Sequence, residues 1–424
     1  MQRRIAIVGS GVAGLVAAYK LHASGQQITL YEADFRLGGH AHTVTVIDQD
    51  RELALDTGFI VFNEATYPRF TELLQELGIR SQMSNMSFGV SCQQCRLEYS
   101  SRGISGLFAH AGQILKPSMY LMAADILRFN RWARKQLAGG GISHGMTLAD
   151  IAESGRFGSE FYRHYLAPMT SAIWSSTTED VDRFPLPLFL KFFDNHGLLQ
   201  VNSHPPWRTV VGGSQRYVES LVHSFRDCIR LDAAVDRIRR RSDGVELHTV
   251  RGGWEEYDKV VLATHANQAL SLLEKPSAAE TYALGAIPYS KNLAVLHTDA
   301  SVLPRSRRAW ASWNYHIPDC RISGAPLRMT YYLNQLQSLT TNTPYCVTLN
   351  DECRIDRSRV LARIPYEHPV YTVDGLEARS EIKRISGRHH TFYCGAHLGN
   401  GFHEDGVVSG LAVQTALEQC EEWK

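Results

Sequence analysis

A glycine-rich turn near the N-terminus constrains the fold of this chain more than any other feature. Residues 4–8, RIAIV, form the short apolar run typical of a strand that is buried on both faces. Gly9, Gly11 and Gly14 follow in the G-x-G-x-x-G spacing and open a stretch with helical periodicity, which Gly25 closes. The pattern predicts a parallel strand, a tight turn and a helix, in that order.

The residues of this turn suit the binding of a dinucleotide. Gly9 permits the tight turn, Gly11 lets a pyrophosphate approach the backbone, and Gly14 lets the helix pack closely on the strand. Glu32 ends the next apolar run, eighteen residues after Gly14, where a carboxylate can accept hydrogen bonds from a ribose. We therefore predict a dinucleotide site, and a glycine-rich turn that binds nothing is the alternative.

A second glycine-rich loop follows directly. Arg36, Gly38, Gly39 and Thr43 give the pattern R-x-G-G-x-x-x-T, and residues 56–60 read DTGFI. At these motifs the chain resembles the flavin-containing amine oxidase superfamily, which includes amine oxidases, protoporphyrinogen oxidases and carotenoid desaturases. In that superfamily the loop lies along FAD with the arginine near the pyrophosphate, and the next segment passes close to the flavin ring. The resemblance therefore implies FAD as the cofactor.

Later segments continue the resemblance. Val235 matches a family residue whose backbone contacts the adenine, and a later strand ends beside the cofactor in Ala263 and Thr264. Gly395 matches the glycine that touches the ribityl chain. Residues 399–407, GNGFHEDGV, resemble the C-terminal FAD motif, in which a helix N-terminus points at the flavin pyrimidine. The sequence His-Glu-Asp-Gly at residues 403–406 differs from that of the amine oxidases, whose aromatic cage residues have no visible counterpart in this chain.

These motifs give one set of predicted site residues. The predicted cofactor contacts are Gly9, Gly11, Val12, Ala13, Gly14, Glu32, Ala33, Arg36, Gly38, Gly39, His40, Thr43, Thr57, Gly58, Phe59, Ile60, Val235, Ala263, Thr264, Gly395, Glu404, Asp405, Gly406 and Val407. Lys291 resembles the family lysine that holds a water at flavin N5, with a surface lysine as the alternative. His403 is a candidate base or substrate anchor, with a helix-capping histidine as the alternative. His40 and His42 flank the second loop, and either could contact the flavin, His40 also through a covalent bond.

The order of the motifs implies, by the same resemblance, an α/β fold with a discontinuous Rossmann-type FAD-binding domain. Residues 1–85, 206–285 and 386–424 are predicted to form that domain. Residues 86–205 are predicted to form a helical cap, and residues 286–385 an antiparallel sheet. The cap and the sheet together make an inserted α+β substrate domain.

Local patterns predict individual elements within these ranges. Residues 88–90 and 97–99 are predicted to form a hairpin, and strands are predicted at Leu293–His297, Arg328–Tyr332 and Tyr345–Thr348. Gly139, Gly140 and Gly141 predict a break between helical stretches, and Thr147 with Asp150 predicts a helix N-cap. A last helix is predicted over Val408–Cys420.

Large apolar residues dominate the predicted cap, and a basic group from Arg128 to Lys135 follows them. The pattern indicates either a cap that packs its own core or an amphipathic entrance for a lipid-like substrate beside anionic head groups. Aromatic residues in strands are also often core residues. The candidate substrate-cavity residues are Trp174, Trp310, Trp313 and Tyr315.

Composition limits the classes of partner and location. A net charge of +1 over 424 residues argues against nucleic acid as the main partner. The chain has no stretch of eighteen uninterrupted apolar residues, and its first strand begins at residue 4, which leaves no room for a cleavable leader. We expect a soluble cytoplasmic protein, with contact to the inner membrane face as an open alternative.

Cys92 and Cys95 form the only close pair among the eight cysteines. A zinc site would need a second pair or suitably spaced histidines, and redox catalysis would need a thioredoxin-like context. The sequence shows neither next to the pair. We therefore predict reduced structural thiols at these positions and no metal site.

A fuller resemblance covers nearly the whole chain. Residues 36–44, 172–175, 309–315 and 401–406 resemble a bacterial subgroup of the superfamily, of which some members are linked with cyclopropane-fatty-acid-synthase-like methyltransferases and furan fatty acid formation. The resemblance implies an FAD-dependent oxidoreductase that desaturates a methylated fatty acyl chain, either a small lipophilic molecule or a phospholipid. An amine oxidase that produces hydrogen peroxide is one alternative. A non-catalytic flavin-bearing partner of a lipid methyltransferase is the other.

Overall fold

The computed structural model describes residues 3–200, 205–322, 324 and 326–422. The predicted domain ranges 1–85, 86–205, 286–385 and 386–424 each include some residues outside these. In chain order the strands are β1 (Arg4–Val8), β2 (Gln27–Tyr31), β3 (Thr43–Asp48), β4 (Arg51–Asp56), β5 (Phe62–Asn63), β6 (Ser81–Met83), β7 (Phe88–Cys92), β8 (Leu97–Ser100), β9 (Trp207–Val210), β10 (Ile229–Arg230), β11 (Val235–Arg240), β12 (Val245–Thr249), β13 (Gly253–Tyr257), β14 (Lys259–Leu262), β15 (Tyr289–His297), β16 (Trp313–Ile317), β17 (Met329–Tyr332), β18 (Cys346–Leu349), β19 (Val360–Pro369) and β20 (Thr391–Tyr393).

The helices lie between these strands. In chain order they are α1 (Val12–Ala23), α2 (Pro68–Glu76), α3 (Gly103–Leu107), α4 (Ala111–Ile114), α5 (Pro117–Gly139), α6 (Leu148–Glu153), α7 (Ser159–Phe161), α8 (Ala167–Trp174), α9 (Thr178–Asp182), α10 (Leu186–Asn195), α11 (Gln215–Val222), α12 (Ala266–Leu272), α13 (Ala278–Gly285), α14 (Leu333–Leu336), α15 (Val373–Ile385) and α16 (His403–Glu422). A π-helical turn over Tyr162–Leu166 joins α7 to α8.

A parallel sheet in the order β10-β2-β1-β14-β20 carries the N-terminal glycine turn. Val8 at the end of β1 lies opposite Tyr31 of β2 and Leu262 of β14, so the carboxyl ends of these strands meet at one edge. Helix α1 follows β1 directly and packs its buried apolar side chains on the sheet. The predicted strand, turn, helix and strand are therefore confirmed.

A mixed sheet in the order β19-β15-β18-β17-β16-β7-β8 forms a second layer. The strands predicted at Leu293–His297, Arg328–Tyr332 and Tyr345–Thr348 are confirmed as parts of β15, β17 and β18. Their ends agree within one residue, except that β15 begins four residues earlier, at Tyr289. Strand β7 pairs in parallel with β16, and the β7–β8 hairpin therefore belongs to this sheet although its residues fall in the predicted cap range. The domain ranges themselves stay a prediction.

The helical cap lies over this sheet and has a core of its own. Its largest fully buried side chains are Phe129, Phe161, Phe184, Phe189 and Phe193. Helix α5 ends at the predicted glycine break, where Gly140 has a φ of +63°. Thr147 and Asp150 form the predicted capping box at the start of α6. Among the described residues, no helix is both long enough and apolar enough to cross a membrane.

The C-terminal helix begins earlier than the sequence predicts. Helix α16 starts at His403 rather than at Val408. Glu404 and Asp405 lie in its first turn, where negative side chains are stabilised by the unpaired amide groups of a helix N-terminus. A Cβ on Gly410 would lie 2.5 Å from the carbonyl oxygen of Ala13, so α16 packs unusually close to α1. The predicted loop is therefore in part the first turn of a helix.

Candidate functional site

A cavity of about 1010 Å³ opens at the carboxyl ends of the parallel strands and continues between the cap and the mixed sheet. Val8 and Tyr31 end β1 and β2 at its wall, Ala263 follows β14, and Gly395 follows β20. Ligands of open α/β sheets bind at this edge. The cavity thus joins the predicted dinucleotide site to the predicted substrate domain.

Most of the predicted cofactor contacts line this cavity. Those that line it are Gly9, Gly11, Val12, Ala13, Glu32, Ala33, Gly38, Gly39, His40, Gly58, Phe59, Ile60, Val235, Ala263, Thr264 and Gly395. Those that lie outside the lining are Gly14, Arg36, Thr43, Thr57, Glu404, Asp405, Gly406 and Val407. Apart from Arg36, residues of the second group support the elements that carry the first.

The first glycine loop has the geometry that its spacing predicts. Gly9 has a φ of +102°, in the left-handed region that favours glycine. A Cβ on Gly14 would lie 2.0 Å from the carbonyl oxygen of Gly9, so α1 packs on the strand because this side chain is absent. A Cβ on Gly11 would meet no described atom within 4 Å, since Gly11 faces the open cavity. The N-terminus of α1 is therefore open to an anionic ligand.

Glu32 ends β2 and faces the same loop. Its Oε2 accepts hydrogen bonds from the backbone N and the Oγ of Ser10, at 2.9 and 2.5 Å. Its Oε1 accepts a hydrogen bond from the backbone N of Asp34 at 2.9 Å. The carboxylate therefore braces the glycine loop and also lines the cavity, where it can accept hydrogen bonds from a ribose.

The second glycine loop is hydrogen-bonded to the first and carries a partly buried cation. The backbone N of Gly38 donates to the carbonyl oxygen of Ser10 at 3.1 Å. The Nε of Arg36 lies 3.4 Å from a carboxylate oxygen of Asp34. The Nη1 of Arg36 is buried and has no hydrogen-bond partner among the described residues. A buried guanidinium nitrogen of this kind indicates an anionic ligand beside it.

Thr43 and Thr57 lie outside the described wall, and their side chains form hydrogen bonds to other elements, so their contact with FAD stays a prediction. The Oγ1 of Thr43 donates to Asp56 at 2.7 Å and accepts from the backbone N of Gln215 at the start of α11. The Oγ1 of Thr57 lies 3.0 Å from the hydroxyl of Tyr366. Both threonines therefore join neighbouring elements behind the cavity wall.

The C-terminal motif also contributes less to the wall than predicted. Glu404 accepts hydrogen bonds from two backbone N–H groups in the first turn of α2, and Asp405 accepts one at the start of α16. A Cβ on Gly406 would lie 2.5 Å from a side-chain carbon of Val12, and Val407 is buried in the core. These four residues hold α16 against α1 and α2 and lie outside the described wall, and their contact with FAD stays a prediction.

His403 lines the cavity, as expected, but as a packed and neutral side chain. Its Nε2 lies 2.8 Å from the hydroxyl of Tyr217, and its ring stacks on Phe59 with centroids 3.6 Å apart. Burial lowers the pKa of His403 to about 3. The imidazole is therefore uncharged near pH 7 and already hydrogen-bonded, so the structure favours a packing role over that of a base or charged anchor.

Lys291 lies outside the cavity. It is exposed on β15, where it is paired in register with Glu367 of β19, and it is absent from the described cavity wall. Its predicted catalytic role is therefore corrected, because the ammonium group has no position beside a ligand of the cavity. Lys291 is instead a surface lysine, which was the alternative to a catalytic role.

The substrate part of the cavity lies between the mixed sheet and the cap. The sheet contributes Phe88, Tyr99, Trp313 and Tyr331, and the cap contributes Ile126, Tyr165, Met169, Ile173 and Phe192. Trp313 is therefore placed as predicted. Tyr331 was not predicted, although it lies directly opposite Trp313 on β17 and packs edge-on against it at 5.3 Å between centroids.

The other three predicted aromatic residues lie behind the wall. Trp174 is 4% exposed in the cap core, where its N–H donates to the carbonyl oxygen of Asn400. The N–H of Trp310 donates to the carbonyl oxygen of Pro304 at 2.7 Å. Tyr315 is buried in the core between the sheet and the cap, where its hydroxyl donates to the Oγ of Ser171 on α8. Their prediction as cavity residues is wrong, and the alternative of core packing is correct.

Neutral histidines are the main titratable groups of the wall. Burial lowers the pKa of His397 to about 3 and that of His368 to about 4, and it holds the pKa of His40 well below its usual range. The Nε2 of His40 is buried without a hydrogen-bond partner among the described residues. Glu32 and Glu367 are the acidic residues of the described wall, which includes neither lysine nor arginine. The site is therefore nearly free of charge.

Comparison with known proteins places this geometry in a family. Residues 12–299, more than half of the chain, match the family described as flavin containing amine oxidoreductase. The chain belongs to this family. Protoporphyrinogen oxidase 2 of Arabidopsis thaliana is 41% identical over 80 residues, which are 19% of this chain and 15% of that protein. An L-amino-acid oxidase of Pseudechis australis is 51% identical over 41 residues, 10% of this chain and 8% of that protein.

Solved structures of the flavin amine oxidoreductase type share the whole fold. A triple mutant of putrescine oxidase superposes with a TM-score of 0.70 at 14% identity, over 99% of both chains. A fatty acid isomerase from P. acnes, described as producing CLA, superposes with a TM-score of 0.64 at 16% identity, over 97% of this chain and 98% of that chain. The predicted α/β fold with an amine-oxidase-like architecture is therefore confirmed.

Family membership makes FAD the cofactor, and the residues present fit it. The open N-terminus of α1 and the unpartnered Nη1 of Arg36 offer N–H donors to a pyrophosphate. Glu32 offers a carboxylate to a ribose. Val235 lies at the same end of the wall as Glu32, in agreement with an adenine contact. Wall residues from both glycine loops and from the segment after β20 would therefore hold the dinucleotide.

Proposed function

We propose that this member of the family is an FAD-dependent oxidoreductase that desaturates a fatty acyl chain, in particular a methylated chain carried by a phospholipid. The observation that carries the proposal is the wall of the substrate part, which consists largely of apolar and aromatic side chains from β7, β16, β17 and the cap helices. An acyl chain buries apolar surface against such a wall, which is favourable by about 25 cal/mol per Å².

The lack of charge in the wall supports an esterified chain over a free fatty acid. The described wall includes neither lysine nor arginine, so a free carboxylate would lose its hydration without gaining a cation. Asn130, Ser101 and Gln200 offer neutral polar groups at the wall instead. An ester head group outside or at the mouth of the cavity avoids this penalty.

The reaction requires little acid–base chemistry from the residues of the wall. FAD would supply, when bound, a two-electron acceptor for the hydride that leaves one carbon. The neighbouring carbon would lose a proton to a basic group of the wall, for which the carboxylate of Glu367 is available. The protein's part is to exclude water and to hold the chain along a dry surface. Trp313 and Tyr331, packed edge-on against each other, give apolar aromatic surface for this purpose, and the buried neutral histidines add no competing charge.

An exposed apolar patch on the cap supports a membrane as the source of the substrate. This name covers the exposed apolar side chains of α3, α4, the turn after α4 and the first half of α5, among which exposure of Leu115 reaches 84%: Ile104, Ile114, Leu115, Tyr120, Leu121 and Leu127. Arg131 and Lys135 are exposed on α5, which also carries Leu121 and Leu127, and they suit anionic head groups. Helix α5 carries both Leu127 of the patch and Ile126 of the cavity wall. We infer peripheral contact with a phospholipid surface on the cytoplasmic side.

The proposals of a methylated acyl chain and of a partner protein rest on the resemblance of the sequence to the bacterial subgroup. The subgroup that the sequence resembles is linked with lipid methyltransferases, and such an enzyme would supply a methylated chain to this cavity. The same fold occurs in the fatty acid isomerase from P. acnes, which supports a fatty substrate in this architecture. We propose a lipid methyltransferase as the functional partner.

A matched pair of tryptophan variants tests the substrate class. Trp313→Ala removes part of the cavity wall, whereas Trp310→Ala removes the same side chain from behind it. Solvent extracts of the purified proteins are analysed for acyl lipids by mass spectrometry. We expect co-purified acyl lipid in the wild type and in Trp310→Ala, and much less in Trp313→Ala. Equal lipid in both variants, or none in the wild type, would contradict an acyl chain in this cavity.

Amine oxidation is a second candidate, favoured by two observations. Putrescine oxidase and a cyclohexylamine oxidase from Brevibacterium oxydans share the fold over 99% of this chain. The carboxylate of Glu367 also lines the cavity, 3.4 Å from the Nδ1 of His265, and could pair with an ammonium group. Hydrogen peroxide released with amines but not with acyl lipids would identify this reaction.

A further inference from the structure

The fold brings three thiols and one imidazole together at the end of the mixed sheet. The Sγ atoms of Cys92, Cys95 and Cys320 and a ring nitrogen of His164 all lie within 4.8 Å of one another. No comparison and no part of the proposed reaction uses this cluster. We propose that these four residues bind one zinc ion, which ties the helical cap to the mixed sheet.

Strand pairing explains how distant residues meet here. The β7–β8 hairpin holds Cys92 and Cys95 across its turn, and Arg96 completes that turn with a φ of +54°. Cys92 lies opposite Ile317 in the parallel pairing of β7 with β16. Cys320 follows three residues after Ile317 and thus reaches the same turn. A hairpin with C-x-x-C at its turn is a common half of a zinc site.

The cap supplies the fourth group through an irregular helix. His164 lies in the π-helical turn Tyr162–Leu166 and is 1% exposed. Its Nε2 lies 3.5 Å from the Sγ of Cys95. With Zn–S of about 2.3 Å and Zn–N of about 2.05 Å, one edge of a tetrahedron joining sulfur to nitrogen measures about 3.6 Å. Single π-helical turns are frequently found at functional sites.

The groups around the cluster also suit a bound cation with thiolate ligands. The Nδ1 of His164 is buried and lies 3.1 Å from a carboxylate oxygen of Glu160, without the alignment of a hydrogen bond. A carboxylate is thus near the imidazole nitrogen that would not bind the metal, as beside many metal-binding histidines. Lys116 donates from its Nζ to the carbonyl oxygen of Cys95 at 2.9 Å and places a positive charge beside the thiolates. Asp319 is paired with Arg321 and is therefore not a competing ligand.

Three thiolates and one imidazole form a ligand set that selects zinc. Cys₃His with tetrahedral closure is typical of structural zinc sites, and oxygen-ligated cations such as Mg²⁺ and Ca²⁺ do not match it. Four protein ligands leave no open position for a water or a substrate, so the ion would be structural rather than catalytic.

The position of the cluster gives the ion a definite role. The hydroxyl of Tyr99 donates to the carbonyl oxygen of His164 at 2.7 Å, and both Tyr99 and Tyr165 line the cavity. A bond from His164 to an ion held by the sheet would therefore fix this part of the cavity wall. The FAD-binding residues of β1, α1 and β2 lie on other elements and do not depend on it.

The test is the metal content of the purified flavoprotein, prepared without chelators and measured by inductively coupled plasma mass spectrometry. We expect about one zinc per chain, and a loss of most of it in Cys320→Ser and in His164→Gln. Cys353→Ser is the matched control, because it removes an exposed thiol outside the cluster and should keep the zinc. Flavin content should be retained in all of them, while the melting temperature falls by several degrees in the two cluster variants.

A second measurement uses the wild type alone, so it tests the proposal even if the cluster variants fail to fold. In the wild type, alkylation followed by peptide mass spectrometry should show Cys92, Cys95 and Cys320 protected and Cys353 labelled. A strong chelator should then expose the three protected thiols. A chain without zinc, an intramolecular disulfide among the three, or labelling of the three as fast as Cys353 would overturn the proposal. Because no step of it involves a substrate, its outcome is independent of the proposed reaction.

Discussion

Gly11 is the residue at which the cofactor site is most easily closed. A side chain there would extend into the open space at the N-terminus of α1, since no described atom lies within 4 Å of a Cβ at this position. We expect Gly11→Val to fold but to retain flavin at least about tenfold less well, a loss of ~1.4 kcal/mol or more in binding. The ratio of flavin absorbance to protein absorbance measures this directly.

Gly145→Val is the control for that variant. Gly145 is exposed, and a Cβ there would also meet nothing among the described atoms within 4 Å. The same change should therefore leave flavin content unaltered. Full flavin occupancy in Gly11→Val would mean that the pyrophosphate does not lie at the N-terminus of α1.

Lys291 gives a second test at the scale of one residue. Because its ammonium group is exposed on β15 and outside the cavity, we expect Lys291→Met to leave the rate of flavin reoxidation by oxygen unchanged within about twofold, below ~0.5 kcal/mol in barrier height. Stopped-flow mixing of reduced protein with aerated buffer measures the rate. A large decrease would place the lysine beside the flavin after all and restore its catalytic role.

Local motifs predict residues whose role depends on neighbours in the chain, and they miss those that the fold brings in. Gly9, Gly14 and Glu32 act within one strand–helix–strand unit, so spacing alone places them. Tyr331 and His397 line the cavity through strands and turns far along the sequence, and no spacing indicates them. The prediction of Trp174 as a cavity residue is wrong for a different reason, since an aromatic residue of the cap can equally belong to the core of the cap.

Helix α16 is the element on which the C-terminal part of the site depends. A Cβ on Gly410 would lie 2.5 Å from the carbonyl oxygen of Ala13 and 3.1 Å from Val16, both on α1. We expect Gly410→Val to push the helices apart and to lower the free energy of unfolding by about 1–3 kcal/mol, as overpacking does. Urea denaturation measures the loss, and flavin content should fall with it because His403 begins the same helix.

Ala412→Val separates packing from helix propensity. Ala412 is exposed on the same helix, so the valine there keeps the β-branched side chain but meets no neighbouring helix. This control should change stability by less than ~1 kcal/mol. Equal losses in the two variants would show that the contact between α16 and α1 is not tight.

Elements with strong hydrophobic periodicity are well predicted, whereas the residues at which they begin and end and the strands with which they pair are predicted less well. The start of α16 is missed by five residues because Gly399, Gly401 and Gly406 interrupt the helical pattern, although Glu404 and Asp405 are typical of a first turn. The β7–β8 hairpin is predicted as such, but its pairing with β16 is not, since parallel pairing over this distance leaves no local signal.

Acid should destabilise the whole molecule. Burial lowers the pKa of His297 and His368 to about 4 and of His397 and His403 to about 3, below the ordinary value of 6.5. Between about pH 6.5 and pH 4 the unfolded chain therefore binds more protons than the folded one. Each histidine then removes up to ~1.4 kcal/mol of stability per pH unit as the pH falls.

The urea midpoint between pH 7 and pH 5 tests this linkage. Asp56 acts in the opposite direction, because burial raises its pKa to about 6, and burial also raises the pKa of Glu404 and Asp405. These carboxyl groups are outnumbered by the histidines, since burial lowers the pKa of His42 and His316 to about 4 as well. We expect a steep fall of the midpoint below pH 6.5, with a smaller slope in His297→Gln and an unchanged slope in His144→Gln, which alters an exposed histidine. A midpoint that is flat over this range would contradict neutral burial of the four histidines.

The central claim concerns the whole molecule, because it needs the FAD-binding sheet, the mixed sheet and the cap together. The most direct test is anaerobic addition of a methylated phospholipid to the flavoprotein, followed by absorbance and by mass spectrometry of the lipid. We expect the flavin to bleach and the acyl chain to lose two hydrogen atoms, with putrescine and cyclohexylamine as amine controls. Bleaching by the amines alone, or by none of these compounds, would contradict the proposal that this cavity desaturates an acyl chain.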